Sequence, residues 1–361
     1  MKVRNLVLVS TALLFCVQNA SAKSLTTAEE AVYPVIPLIA VKGVESVYPS
    51  VAGDFMVYAQ RKGSDYSVLR VSKGSPGSGA YTLKPLTMID DMRYGVAVAD
   101  GSIGYVSNRM GPTSAWMWQG RGDGHVSIAN MATYRGGLSP YHLNASSNGQ
   151  VWCFDSTFQK LRYNQMMNEF ASPSHWELVG QQWRTYNSDN FRQKVAYKAT
   201  KAGVSNDFEA PALFTFVRKN SQLVMIPNAF NGAISPDGSK VAFVRETRGN
   251  YDIWMQNIDG GDLTQLTSSP YGEFEPAWSH DGKKLLFVSN SDSEGDVRHT
   301  SIYMLNMASS QIQRLTNARS ATDGGPAWLD NQTVVFHSNR DLQSPQSATG
   351  STWNIWQLKL N

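Results

Sequence analysis

The chain has 361 residues, 42% hydrophobic and 17% charged, with Lys+Arg 32 against Asp+Glu 29 and a formal net charge of +3. A balance so near zero gives no electrostatic footprint for nucleic acid. Aromatic residues at 11%, ten of them tryptophan, suit a packed interior and argue against a disordered chain.

The first 22 residues read as a secretory leader. Lys2 and Arg4 precede the apolar run LVLVSTALLFCV (6–17), and Ala20-Ser21-Ala22 forms an A-x-A cleavage site. The run is too short to cross a bilayer as a helix, and Phe15 before Cys16 argues against lipid attachment. The expected product starts at Lys23 and is periplasmic or secreted. Without the two leader bases it carries 30 basic residues against 29 acidic ones. Its one cysteine, Cys153 in VWCFD (151–155), makes no internal disulfide and reads as a buried thiol. No other segment is long and apolar enough for a membrane span.

After a short lead (23–34), VIPLIAV (35–41) reads as a strand, followed by VAGDFMVYAQR (51–61) and DYSVLRV (65–71). Residues 84–119 repeat the order, ending in a Trp-rich strand. HLNASSNGQVWCFDS (142–156) with TFQKLRYN (157–164) is a third unit, and QKVAYKAT (193–200) with ALFTFVRK (212–219) a weaker fourth. The pattern is sharpest at 231–267 and 276–316. There SPDG (235–238) and SHDG (279–282) are tight turns, KVAFV (240–244) and KLLFV (284–288) are buried strands, and each unit closes on a hairpin ending in LT. GGPAWLDNQTVVFHSNRDLQ (324–343) with TWNIWQLKL (352–360) is the last unit.

Units of four short strands at a period near 45 are the signature of a β-propeller. First-strand landmarks fall near 49, 95, 141, 187, 231, 276 and 326. The expected architecture is therefore all-β: a single propeller domain over 35–361, built of four-stranded blades. Seven blades are preferred; six are the alternative, with 165–220 as an insertion. The last unit lacks a fourth strand, and VIPLIAV (35–41) is expected to supply it and close the ring, because unjoined blades leave raw sheet edges.

These units resemble the repeats of TolB-type β-propellers, whose consensus runs through PAWSPDG, an apolar strand, a polar S-x-R turn (SNR at 107–109 and 338–340), an IY/IW strand and a terminal LT. The resemblance covers about 36–360. It implies the fold and an exported compartment, but the α/β domain that precedes the propeller in TolB has no counterpart in 23–34. It therefore does not carry over TolB's partners.

Catalytic signatures are sparse. His125, His142, His175, His280, His299 and His337 show no metal-ligand spacing. His280 reads as an exposed turn residue, and His337 as a half-buried strand residue where other units have valine. There is no G-x-S-x-G elbow. Asp237 and Asp281 repeat at turns and read as turn formers. One constellation remains: Glu45, Asp90, Asp91, Asp189, Glu273, Glu275 and Asp323 lie in segments entering first strands, so they are expected at one mouth of the channel. Carboxylates there would hold a cation such as calcium or a basic partner, unless Arg93, Arg135, Arg184 and Arg319 neutralise them. The polar connections 291–300 and 341–352 are a second candidate, since loops on rigid scaffolds carry binding. No cofactor is otherwise expected. The expected role is a non-catalytic scaffold for protein partners in a cell-envelope assembly. The alternative is an enzyme, or a carbohydrate- or small-ligand-binding protein, using the channel mouth.

Overall fold

Short runs of β-branched and aromatic residues, punctuated by Asp-Gly turns, form antiparallel strands in sets of four. The computed structural model describes residues 33–63, 65–76, 80–82, 92–107, 114–120, 124–128, 140–159, 174–179, 182–187, 209–218, 222–247, 249–317, 321–345 and 349–360. The leader assigned to 1–22 lies outside them. Among the described residues no helix is long and apolar enough to cross a membrane.

Strand β1 (Ile36–Ile39) is followed by the first complete blade, β2 (Glu45–Ala52), β3 (Phe55–Lys62), β4 (Asp65–Ser72) and β5 (Tyr81–Thr82). The second is β6 (Met92–Ala97), β7 (Ile103–Ser107), β8 (Ser114–Trp118) and β9 (His125–Ser127). The third begins with β10 (Pro140–Ala145) and β11 (Val151–Gln159). After a separate hairpin, β12 (Ser174–Val179) with β13 (Gln182–Asn187), it is completed by β14 (Glu209–Val217) and β15 (Gln222–Pro227). The fourth is β16 (Phe230–Ile234), β17 (Lys240–Thr247), β18 (Asn250–Asn257) and β19 (Gly261–Gln265). The fifth is β20 (Glu273–Trp278), β21 (Lys284–Ser289), β22 (Ser301–Asn306) and β23 (Ile312–Arg314). The sixth is β24 (Asp323–Trp328), β25 (Thr333–Arg340) and β26 (Thr349–Lys359), with β1 antiparallel to β26 through Ile36↔Gln357 and Ile39↔Ile355.

The propeller therefore has six blades, not the preferred seven. The landmark near 187 falls on β13, inside an insertion. Strands β11 and β14 pair without interruption from Val151↔Val217 to Gln159↔Glu209, so the 49 residues between them lie outside the ladder. ALFTFV (212–217), expected in a fourth unit, is the third strand of blade three.

The first strands neighbour one another in a cycle, β2 on β6, β6 on β10, β10 on β16, β16 on β20, β20 on β24 and β24 on β2. Each second strand is flanked by neighbouring blades on both faces, which is why KVAFV and KLLFV are apolar without alternation; Val241, Ala242, Phe243 and Val244 are all buried. Side chains pack between blades. Ile39, Met56, Tyr58, Leu69, Val335 and Ile355 fill the seam between blades six and one.

The Asp-Gly turns are structural, as expected. Ser235 donates to Asp237 at 2.6 Å, and the Ser239 backbone N–H donates at 3.0 Å, with Gly238 at φ 76°. Ser279, Asp281 and Gly282 repeat this arrangement. These donors hold both carboxyls below the usual carboxylate range.

Candidate functional site

Every first strand carries one bulge where the ladder slips, and the same position in each bulge has a left-handed backbone. The residues are Tyr48 (φ 53°), Tyr94 (51°), His142 (55°), Asn231 (50°), Glu275 (51°) and Gly325 (53°). A non-glycine residue held there costs about 1 kcal/mol or more, yet five of the six positions carry large polar side chains. A bulge re-aims a side chain out of the regular pleat. Here Tyr48, Tyr94, His142 and Glu275 line a central cavity of about 150 Å³ to which all six first strands contribute.

The rings form an arc that runs from this channel into an adjoining pocket. Centroids are 6.0 Å apart for His142–Tyr94, 5.1 Å for Tyr94–Tyr48, 4.7 Å for Tyr48–His337 and 5.3 Å for His337–Trp353. His337 comes from the second strand of blade six. It fits because Gly324 and Gly325 face it: a Cβ on either would approach the imidazole to 2.8 or 2.5 Å. Its Nδ1 accepts the Tyr48 backbone N–H at 3.3 Å.

Burial disfavours charge at the site. It pushes His142 down to about 4 and His337 down to about 3, so both are neutral at pH 7. It pushes the Glu275 carboxyl up, partly offset by the Gly325 backbone N–H at 2.6 Å. Behind His142, Asp155 is buried and shifted well up by desolvation. It accepts the Asn231 backbone N–H at 2.7 Å and lies 3.7 Å from His142 Nδ1.

The expected carboxylates divide. Glu275 lines the channel. Glu45 pairs with Arg61 at 2.5 Å on the wall of an adjoining pocket. Glu273 and Asp323 open their strands but turn into the blades. Glu273 is fully buried, accepting from Thr267 and Ser269. Asp323 is fully buried in a two-point pair with Arg340, at 2.9 and 2.6 Å. Asp90, Asp91 and Asp189 lie outside the described residues, as do Arg135, Arg319 and the side chains of Arg93 and Arg184. Among the described residues, no three His, Cys, Asp or Glu side chains gather as metal ligands.

The connection 291–300 is tied down: Asp292 accepts from Ser301 (2.6 Å), Tyr303 (3.0 Å) and Arg314. Cys153 is buried. His280 is exposed, as expected, with Nε2 2.9 Å from the Trp328 carbonyl. His337 is more buried than expected, at 7% exposure, and forms part of the site. Tyr48, Tyr94 and His142 were missed by motif reasoning. The available signal was partial: Tyr48, Tyr94 and Glu275 each stand one residue before a first-strand landmark.

Residues 215–347 match the family model described as the TolB beta propeller domain. The chain is 31% identical over 157 residues to the Tol-Pal system protein TolB of Alcanivorax borkumensis, which is 42% of this chain and 33% of that protein. The likeness thus spans about a third of that relative's length. Among solved structures, an Agrobacterium tumefaciens protein described as a TolB superposes with a TM-score of 0.51 at 11% identity, covering 88% of this chain and 90% of the other. An oligogalacturonate lyase from Vibrio parahaemolyticus gives 0.51 at 12% identity, over 92% and 95%. At such identities the superpositions establish the fold alone.

Proposed function

We propose that this chain, which carries TolB-type β-propeller repeats, is an exported, non-catalytic binding protein that docks a protein partner of the cell envelope at the mouth of its channel. The observation that carries this reading is the strained ring of bulges. Strain at a non-glycine position persists only where the surrounding structure enforces it, and it concentrates at functional sites. Repeating it in five of the six blades presents Tyr48, Tyr94, His142 and Glu275 together. Tyrosine at a concave, half-buried mouth suits partner binding, because it offers a large rigid ring with a polar tip. The leader at 1–22 supports export, and the relative named for the Tol-Pal system supports an envelope assembly.

The test is fractionation followed by co-purification. The mature protein is expected to begin at Lys23 and to leave the cell on osmotic shock without detergent. An envelope protein is expected to co-purify with the parent and with the folded fraction of Asp281→Ala, but not with Tyr94→Ala/Glu275→Gln. Equal capture by the channel variant would contradict the reading.

A binding disc must also stay closed. We read β1 as the strand that closes the ring, because it covers the edge of β26 and buries Val35 and Ile39. Deleting residues 33–41 is expected to expose that edge and cause aggregation or a sharp fall in melting temperature. A monomeric deletion variant melting as the parent does would refute this.

A further inference from the structure

Where blade six meets blade one, the arc of rings opens into a second pocket of about 300 Å³, walled by Tyr48, Tyr66, Tyr94, His337, Trp353 and the Glu45–Arg61 pair. We infer that this seam pocket binds one ring of a neutral carbohydrate, a small-molecule site separate in kind from the protein docking proposed above.

Three observations carry the inference. The volume sits at the lower end of small-ligand sites, about 300–1,000 Å³, so it suits a single ring. The walls combine apolar ring surface with planar polar groups. The Arg61 guanidinium lies 5.9 Å from the Tyr66 centroid and is paired with the Glu45 carboxylate at 2.5 Å. Guanidinium and carboxylate each offer two parallel hydrogen-bonding positions. That spacing matches adjacent hydroxyls, while the C–H faces of a sugar ring lie on aromatic surface. Finally, His337 is 7% exposed and has an unspent donor. Its Nδ1 accepts the Tyr48 backbone N–H, so the neutral ring carries its proton on Nε2. No acceptor for Nε2 stands among the described residues. The ring lines the pocket, so a ligand hydroxyl there would accept from Nε2.

Charge selects the class of ligand. Glu45 and Arg61 cancel one another, and His337 is held neutral by burial. A cation would face Arg61 and an anion would face Glu45, with no net field to favour either. A polar ligand without charge meets no such penalty. The aromatic walls alone would also suit a quaternary ammonium, so the two classes must be compared directly.

The experiment is saturation-transfer NMR with calorimetry on the whole mature protein, using methyl β-glucoside, N-acetylglucosamine, galacturonate and choline as probes. A neutral sugar is expected to bind best, with Kd around the millimolar range, about −4 kcal/mol. Trp353→Ala is expected to weaken it at least tenfold. Arg61→Met, at a side chain that is 41% exposed, is expected to weaken the sugar similarly with a melting temperature close to the parent's and to improve choline. Three results would overturn the assignment: no transfer from either neutral sugar, tighter binding of choline or galacturonate by the parent, or sugar binding undiminished in Arg61→Met. Loss of the envelope partner with sugar binding intact would separate this site from the docking face.

Discussion

Asp323→Ala is expected to destabilise the protein by about 3–5 kcal/mol, the usual consequence of stranding one partner of a buried ion pair. Asp323 is fully buried, and the Arg340 side chain is 1% exposed. Arg340 directs its remaining donors to the carbonyls of Pro345 and Asn317 at 2.8 and 3.1 Å, so every arm of the guanidinium is fixed. Removing the carboxylate leaves a full positive charge in the sixth blade with carbonyl dipoles alone to stabilise it. Removing both charges with Asp323→Ala/Arg340→Met is expected to recover much of the loss, since no unpaired charge then remains buried. Calorimetric melting of the parent, Asp323→Ala, Arg340→Met and the double variant measures this coupling. A loss below about 1 kcal/mol for the single variant, the scale of an exposed pair, would return Asp323 to the channel mouth, where its place in the repeat had suggested it.

The second large effect is on the pH dependence of stability. Glu273 lies at the seam of blades four and five, hydrogen-bonded to Thr267 and Ser269 and close to Asp252. Burial pushes its carboxyl up from 4.5 to about 8, with the Asp252 charge adding to the rise; burial likewise raises Asp252 to about 6. The folded state therefore keeps a proton on Glu273 that the unfolded chain releases near pH 4.5. Wherever the native state binds more protons than the unfolded one, stability falls as pH rises. The parent should thus lose stability between pH 4.5 and about 8 and level off above, by a few kcal/mol in total. Glu273→Gln keeps an amide able to donate to Asp252 and to accept from Thr267, and has no proton to lose. Its melting temperature is expected to exceed the parent's by several degrees at pH 9 and to approach it at pH 5. Parallel profiles for the two proteins would show that Glu273 is ionised in the fold.

The fold was legible where the repeat is regular. At 231–316 the turn, buried strand and hairpin recur in full, and each maps onto one blade. Blade three was misread because its second and third strands are separated by an insertion holding its own hairpin. That hairpin fell at the spacing of a blade and produced a seventh landmark. The site was legible only in part. Glu275 was found because its segment enters a first strand. Glu273 sits two residues earlier on the same strand, and Asp323 opens the next blade, but both point inward. A one-dimensional position near a strand start does not say which face a carboxylate takes, because side chains alternate along a strand and a bulge resets the alternation. The left-handed positions left only a broken mark: His142, Asn231 and Gly325 are of types enriched at positive φ, whereas Tyr48, Tyr94 and Glu275 are not. His337 stood out as a polar residue in a valine column, but the space it fills depends on Gly324 and Gly325 of the neighbouring strand.

If binding lives on the ring of bulges, a partner must touch the channel and not the outer strands. A photo-crosslinking residue placed at Tyr94, in the channel, and separately at Leu263, exposed on the outer strand of blade four, tests it most directly in intact cells. One discrete adduct with an envelope protein is expected from position 94 and none from position 263. An adduct from position 263 alone would contradict it and move the partner to the outer face of the blades.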